Sequence, residues 1–228
     1  MIGEIYKILT DLNQIENIKY ILDLGSNNGN EAAVFANLFP EAKVIGIEAN
    51  PNLIPEIKKK VKDHKNVEIF NFAVSDENTE LDFYISKTGN TGTSSFLRKS
   101  GLYDHIEPMQ FNDPIKMKVR KLVDFIEENK IPQVDILWMD IQGFEGKAFD
   151  GLEKYKNDIK IICAEVTYKE IYSGQILFNE FNKKLTDCGY RCVYNDLKHQ
   201  NFWGESIYLN TRIVNSEKIK GEFNVIAI

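Results

Sequence analysis

The stretch Ile21-Leu22-Asp23-Leu24-Gly25-Ser26-Asn27-Asn28-Gly29-Asn30, with Val44-Ile45-Gly46-Ile47-Glu48 after it, decides the fold. An apolar run closes near an acid, two glycines follow, and a helical pattern leads to a second apolar run that ends in Glu48. Two buried strands joined through a turn and a helix make a β-loop-α-β unit shaped to hold a nucleoside. Gly25 permits a tight turn at the strand end, and Gly29 lets the helix begin close to a ligand. A dinucleotide site needs a further glycine two positions after the first, where the pyrophosphate approaches. Asn27 stands there, so the spacing suits a cofactor without a pyrophosphate.

Outward from this unit, strand and helix alternate. Ile5, Ile8, Leu9, Leu12 and Ile15 recur at helical spacing and predict a helix over 3–16. Strands are expected at Tyr20–Leu24, Lys43–Ile47 and Val67–Phe72, with helices at Asn30–Leu38 and Pro51–Val61. A central insertion over about 79–121 breaks the rhythm. Its ends, Glu80–Ser86 and Ile115–Lys121, alternate polar and apolar residues as half-exposed strands do, and a long glycine-punctuated loop of lid character lies between them. Alternation resumes with a short helix at Leu122–Asn129, a strand at Val134–Asp140, a helix at Glu145–Leu152 and a strand at Lys160–Val166. A helix at Phe178–Asp187 and an antiparallel pair, Tyr190–Tyr194 with Ser206–Asn210, close the chain. The expected architecture is one α/β domain over 1–228: a Rossmann-like doubly wound sheet of seven strands, mostly parallel with an antiparallel closing strand.

Bulk properties narrow the classes. A formal charge of −6 and a pI near 5.3 disfavour nucleic acid, whose binders carry basic patches. The one dense basic run, Lys58-Lys59-Lys60 with Lys62, reads as a solvated helix end. No apolar run approaches the roughly 18 residues of a membrane span, and no signal peptide is evident, so a cytoplasmic protein is expected. Cys163, Cys188 and Cys192 are too few and too irregular for a disulfide framework or a zinc site.

Two more segments carry chemistry. Phe72-Ala73-Val74-Ser75-Asp76 follows the third strand, and Asp140-Ile141-Gln142-Gly143-Phe144-Glu145-Gly146 follows the fourth. Both strand ends face the crevice of the cofactor loop. The acidic-x-Gly-x-x-x-Gly loop resembles the first motif of class I S-adenosylmethionine-dependent methyltransferases. With the LDLGSNNGNEA loop, IEANP, FAVSD, the ELDFYI strand, the TGTSS loop and MDIQGFEGKAFDGL, the resemblance narrows to the FkbM family over residues 20–166. It implies that Asp23 and Gly25, Ser26, Asn27, Asn28 and Gly29 surround the methionine part of S-adenosylmethionine. Glu48, beside Ala49, would accept hydrogen bonds from the ribose hydroxyls. Ala73, Val74 and Ser75 would lie beside adenine, and Asp140 joins the cofactor-binding set. The family's usual form has Glu where this chain has Gln142. The resemblance implies O-methylation of hydroxyls on sugars, glycans or other natural products.

A hydroxyl is a poor acid, so a base or a metal is needed to take its proton. Asp140, Glu145 and Glu165 are the catalytic candidates, since Asp140 and Glu165 end adjacent predicted strands and their carboxylates can converge. The same two would suit magnesium or manganese if a metal takes part. His105 and His199 are weaker candidates. Acceptor contacts are expected from Thr93, Ser94, Ser95, Gln142 and Tyr168, with Phe96, Tyr103, Phe111 and Tyr172 as further aromatic candidates. Two other readings compete: a nicotinamide-dependent oxidoreductase, which Asn27 disfavours, and a non-catalytic nucleoside-binding module, which would not need the strand-end acids. Asp140-Ile141-Gln142-Gly143 also lacks the Asn/Asp-Pro-Pro-aromatic motif of nucleic-acid amino-methylating enzymes.

Overall fold

The structure, a computed structural model, describes residues 1–87, 90–102, 109–196 and 202–214. Its main sheet runs β3-β2-β1-β7-β8-β10-β9. Here β1 is Tyr20–Leu24, β2 Lys43–Glu48, β3 Val67–Asn71, β7 Ile136–Met139, β8 Ile161–Thr167, β9 Tyr190–Asn195 and β10 Trp203–Asn210. All neighbours pair in parallel except β10, which runs antiparallel to both β8 and β9. The doubly wound sheet with one antiparallel strand thus forms as the alternation predicts.

Period-two alternation sorts the strand residues onto two faces. Leu22, Leu24, Ile45, Ile47, Leu137 and Met139 pack in one core, beneath α4 (Leu122–Glu128), α5 (Glu145–Asp150) and α6 (Phe178–Asp187). Their neighbours Ile21, Val44, Ile136 and Trp138 turn to the other face. There they meet Ile5, Ile8 and Leu9 of α1 (Ile2–Asp11) and Phe35 of α2 (Asn30–Leu38). Each fully buried aliphatic side chain contributes about 1.5–3 kcal/mol. Burial on both faces explains why these strands read as continuous apolar runs. On α3 (Ile54–Lys60) only Ile57 is buried, and its lysines are exposed.

The first helix ends at Asp11, short of the expected 16. Asn13 adopts φ 55, while Asn13 N donates to Thr10 O and Gln14 N to Leu9 O. That pairing is a Schellman stop with asparagine in the left-handed position. The hydrophobic period does continue to Ile15, but in a separate short 3-10 turn over Ile15–Asn17.

The insertion builds a second sheet. Strands β4 (Ala73–Ser75), β5 (Thr79–Phe83) and β6 (Ile115–Lys121) pair in the order β4-β6-β5, with β5 antiparallel and β4 parallel to β6. The chain beyond β5 is fastened down by bridges Tyr84↔Ser95, Ser86↔Phe111 and Lys99↔Tyr172. Gly151, just past α5, lies against β4: a Cβ there would stand 2.1 Å from the Ser75 carbonyl oxygen. Gly151→Ala should therefore push α5 and β4 apart and cost about 2–4 kcal/mol, read as a lowered denaturation midpoint.

Candidate active site

The strand order turns back between β1 and β7, and a crevice opens beyond their carboxyl ends. Leu24 O accepts the Asp140 amide at 3.0 Å, and Ile47 O accepts the Gly25 amide at 2.8 Å. Gly25 has φ 86, and a Cβ there would lie 1.9 Å from the Asp140 carbonyl oxygen. Only glycine fits this crossing. Gly29, with φ 77, serves packing of the same kind, since a Cβ there would lie 3.0 Å from Ile57 Cγ2.

Two clefts meet at this point. The first, of about 630 Å³ with the open space at its mouth included, is lined by Gly25, Asn27, Glu48, Ala49, Ala73 and Val74 among the expected residues. Its apolar walls are Leu53, Phe72, Phe83, Phe96 and Phe144, and Thr91, Gly92 and Ser94 of the insertion close one side. The Glu48 carboxylate accepts the Asn27 amide at 2.8 Å and the Asn50 amide at 2.6 Å. Burial raises its pKa against the pull of those amides. Asn27 carries φ 44, and its Oδ1 accepts the Thr91 hydroxyl at 2.7 Å, tying the motif loop to the insertion.

Other expected cofactor residues stand behind this wall. Asp23 and Ser26 are fully buried, and the Ser26 hydroxyl donates to Asp23 Oδ2 at 2.8 Å, while Asp23 Oδ1 has no partner. Burial lifts the Asp23 carboxyl to about 8, with repulsion from Glu31, Glu48 and Asp140 adding to it and the Ser26 bond opposing. Asn28 Oδ1 accepts the Asn30 amide at the start of α2, and the buried Ser75 hydroxyl donates to Asp76.

The second cleft, of about 830 Å³ counted in the same way, shares Asn27, Gly92, Asp140 and Gln142 with the first. Thr93, Glu145, Glu165, Tyr172 and Trp203 complete much of its lining. Gln142 organises the acids. Its Nε2 donates to Asp140 Oδ1 at 2.7 Å and to Glu165 Oε2 at 2.9 Å, and its Oε1 accepts the Tyr172 hydroxyl at 2.9 Å. The Asp140 carboxylate, an acceptor only when ionised, fixes which end of the amide faces the acids, and the Tyr172 hydroxyl also lies 3.0 Å from Thr93 O. Ser95, nearly buried, donates its hydroxyl to Gln142 O at 2.7 Å and steadies the turn in which Gln142 and Gly143 take φ 53 and 97.

Solvent reaches Asp140, but protein crowds its other sides. Loss of water there lifts its pKa to about 6, with Glu31 and Glu205 repelling and Gln142 opposing. Glu165, partly buried, is pushed well above the ordinary carboxylate range by desolvation and then by repulsion from Asp140, Glu145 and Glu205. Glu145 is turned back into its own loop, where its two oxygens accept the Ile141 and Gly143 amides at 3.0 and 3.1 Å. Burial raises it to about 7 against those amides. Tyr168 points elsewhere: its ring packs 5.1 Å from that of Phe178 and its hydroxyl donates to Asn195. Among the described residues no three His, Cys, Asp or Glu side chains are arranged to hold a metal ion. The Gln142 amide joins Asp140 and Glu165 instead, and the pair does not fit a divalent cation in this arrangement. His105, His199 and Tyr103 lie outside the described residues.

The methyltransferase FkbM domain model matches residues 23–192. The chain belongs to that family. FkbM membership covers every element of both clefts except β10, which brings Trp203. A relative named 2-O-methyltransferase NoeI, from Sinorhizobium fredii, is 27% identical over 161 residues, which cover 68% of this chain and 66% of that protein. The trans-aconitate 2-methyltransferase of Escherichia coli is 39% identical over 54 residues, 24% of this chain and 21% of its own length. The chain thus spans just under two thirds of the first of these relatives and about a fifth of the second. Among solved structures, the pre-rRNA processing protein fibrillarin of Methanococcus jannaschii shares the fold with TM-score 0.50 and 13% identity, over 86% of this chain and 67% of that one. Among the described residues no helix is long and apolar enough to cross a membrane.

Sequence reasoning missed Phe144, Phe83 and Leu53 in the first cleft and Trp203 and Met109 in the second. Phe83 and Phe144 lie inside the ELDFYI and MDIQGFEGKAFDGL segments but had no expected contact there, while Leu53, Met109 and Trp203 lie outside every motif. The buried Asp23 yields a direct stability test. Its folded pKa lies above the ordinary 3.8, so the native state holds the proton that the unfolded chain releases. Stability should fall as pH rises from about 4 to about 8 and level off above that. Urea midpoints at about pH 5 and about pH 8 should show wild type losing on the order of a few kcal/mol relative to Asp23→Asn over that interval.

Proposed function

We propose that this FkbM protein is an S-adenosylmethionine-dependent O-methyltransferase acting on a hydroxyl of a sugar, glycan or related small molecule. The observation that carries the reading is the meeting of two clefts at Asp140 and Gln142, one suited to a nucleoside and the other lined by acids. The first cleft fits this cofactor on its donor set. Glu48 supplies a carboxylate of the kind that holds ribose hydroxyls, and Phe72, Ala73 and Val74 offer an apolar slot for a base. Asn27 lines it where a nicotinamide dinucleotide site needs a glycine for the approach of the pyrophosphate, which disfavours that cofactor. Bound there, S-adenosylmethionine supplies a sulfonium methyl group open to attack by an acceptor oxygen.

The chain's own residues do the rest. Asp140, shared by both clefts, takes the hydroxyl proton, and a carboxyl near 6 is ionised at neutral pH yet basic enough to help. Glu165, bridged to Asp140 through Gln142, holds the acceptor's neighbouring hydroxyl. Glu145 acts from behind by holding the Ile141 and Gly143 amides, so the loop keeps its shape. Thr93 and Tyr172 line the acceptor side, and Ser94 faces the cofactor side. Alignment of the reacting atoms by these walls can contribute roughly 7–11 kcal/mol in favourable cases. A module that only binds a nucleoside has no use for the three acids beyond it.

Calorimetry with S-adenosylhomocysteine tests the cofactor reading. Wild type should bind, and Glu48→Gln should bind tens of fold more weakly, as loss of about 1.5–3 kcal/mol implies. No binding by wild type, or equal binding by the variant, sinks the reading. A cofactor-consumption screen against sugars and glycans then supplies an acceptor. Turnover with it should rise with pH through about 6 to a plateau, as Asp140 loses its proton. Asp140→Asn should lower that plateau by about 10²–10⁴-fold while S-adenosylhomocysteine affinity stays within a few fold.

A further inference from the structure

The second cleft has two unlike walls. One is apolar and aromatic: Tyr172, Ile171, Met109 and Trp203 belong to a small cluster, separate from the two sheet cores, that the insertion and the segment after β8 build together. The opposite wall presents Asp140 and Glu165, with Glu145 behind them turned into its own loop. Glu205 stands beside Glu165 in register across the β8–β10 pair and adds to the negative field. Among the described residues that line the cleft there is no Lys, Arg or His.

Nearby cations are directed at other groups. Lys99 Nζ donates to Met109 O at 2.8 Å, Arg98 Nε donates to the Tyr84 hydroxyl at 2.9 Å, and Lys169 Nζ lies 4.7 Å from the centre of the Phe202 ring. The amide best placed to receive an anion, Gln142 Nε2, already gives both its hydrogens to Asp140 and Glu165. A carboxylate or phosphate on a bound acceptor would face the Asp140 carboxylate with no cation among the described lining residues to offset it, and such juxtapositions are strongly unfavourable. Hydroxyls and amines are the groups that carboxylates can hold. Flat apolar rings opposite suit the carbon face of a polyhydroxy ring.

We infer that the second cleft selects its acceptor by charge: it takes an uncharged or amine-bearing polyhydroxy compound and turns away carboxylate- and phosphate-bearing analogues. This rests on the reading of the first cleft as the cofactor site. On this basis free glycosides and amino sugars are acceptors, whereas uronates and nucleotide-linked sugars are not.

The test uses the full chain loaded with S-adenosylhomocysteine. Saturation-transfer NMR titrations at low salt compare methyl glucoside, galactoside and mannoside with the corresponding methyl uronates. In at least one series the neutral sugar should bind about tenfold or more tightly than its uronate. The gap should narrow as salt rises, because screening weakens the repulsion. It should narrow also in Asp140→Asn, where the carboxylate ionised at neutral pH is replaced by a neutral amide. A uronate that binds as well as its neutral partner, or better, overturns the inference. So does failure of all three neutral sugars to bind a protein that does hold S-adenosylhomocysteine. Failure to hold S-adenosylhomocysteine removes the reading of the first cleft itself, and this inference with it.

Discussion

The structure hangs on the close crossing of two backbones at Gly25 and Asp140. A side chain on Gly25 would stand 1.9 Å from the Asp140 carbonyl oxygen, and the Asp140 amide is bonded to Leu24. Strand β1 lies between β2 and β7 in register, so the turn after β1 and the turn after β7 are pressed together where the sheet reverses its order. From that contact everything functional is placed. Asn27 is carried over to the Glu48 carboxylate, Asp140 is set between the two clefts, and Gln142 is brought within reach of Glu165.

A second constraint is electrostatic. Asp140, Glu145 and Glu165 share a small, water-poor volume, and carboxylates so gathered resist ionisation together. The chain answers each differently. Glu145 receives two backbone amides, Asp140 keeps access to solvent, and Glu165 shares the Gln142 amide with Asp140. A Glu at 142 would bring a further carboxylate where this chain has a donor. The amide therefore changes the proton balance of the whole group, although it is a neutral side chain.

Much of the fold could be read in advance because its elements are locally marked. The run Tyr20–Leu24, the helix Asn30–Leu38 and the acids closing β2 and β7 lie where apolar period and turn residues put them. The site was legible to the extent that it sits at strand ends. Elsewhere alternation was decisive and easily misjudged: Glu165 and Thr167 of β8 face the acceptor cleft, so Val166 and Tyr168 turn to the core beneath α6. Tyr172, four residues on, is freed from that alternation and reaches Gln142. Trp203 could not be placed from its own segment, because only the insertion of β10 between β8 and β9 brings it to the cleft. The stop of α1 depended on one asparagine accepting a left-handed conformation, which hydrophobic period does not report.

The bond between the Thr91 hydroxyl and Asn27 Oδ1 has a thermodynamic side. Thr91 and Asn27 both line the first cleft, and Asn27, Gly92, Asp140 and Gln142 are common to both clefts. Two ligands that touch the same residues from opposite sides are linked wherever either one shifts them. Any free energy by which the first occupant shifts those residues reappears, equal in size, in the affinity for the second. The coupling is the same whichever ligand arrives first, so it belongs to the protein rather than to either ligand.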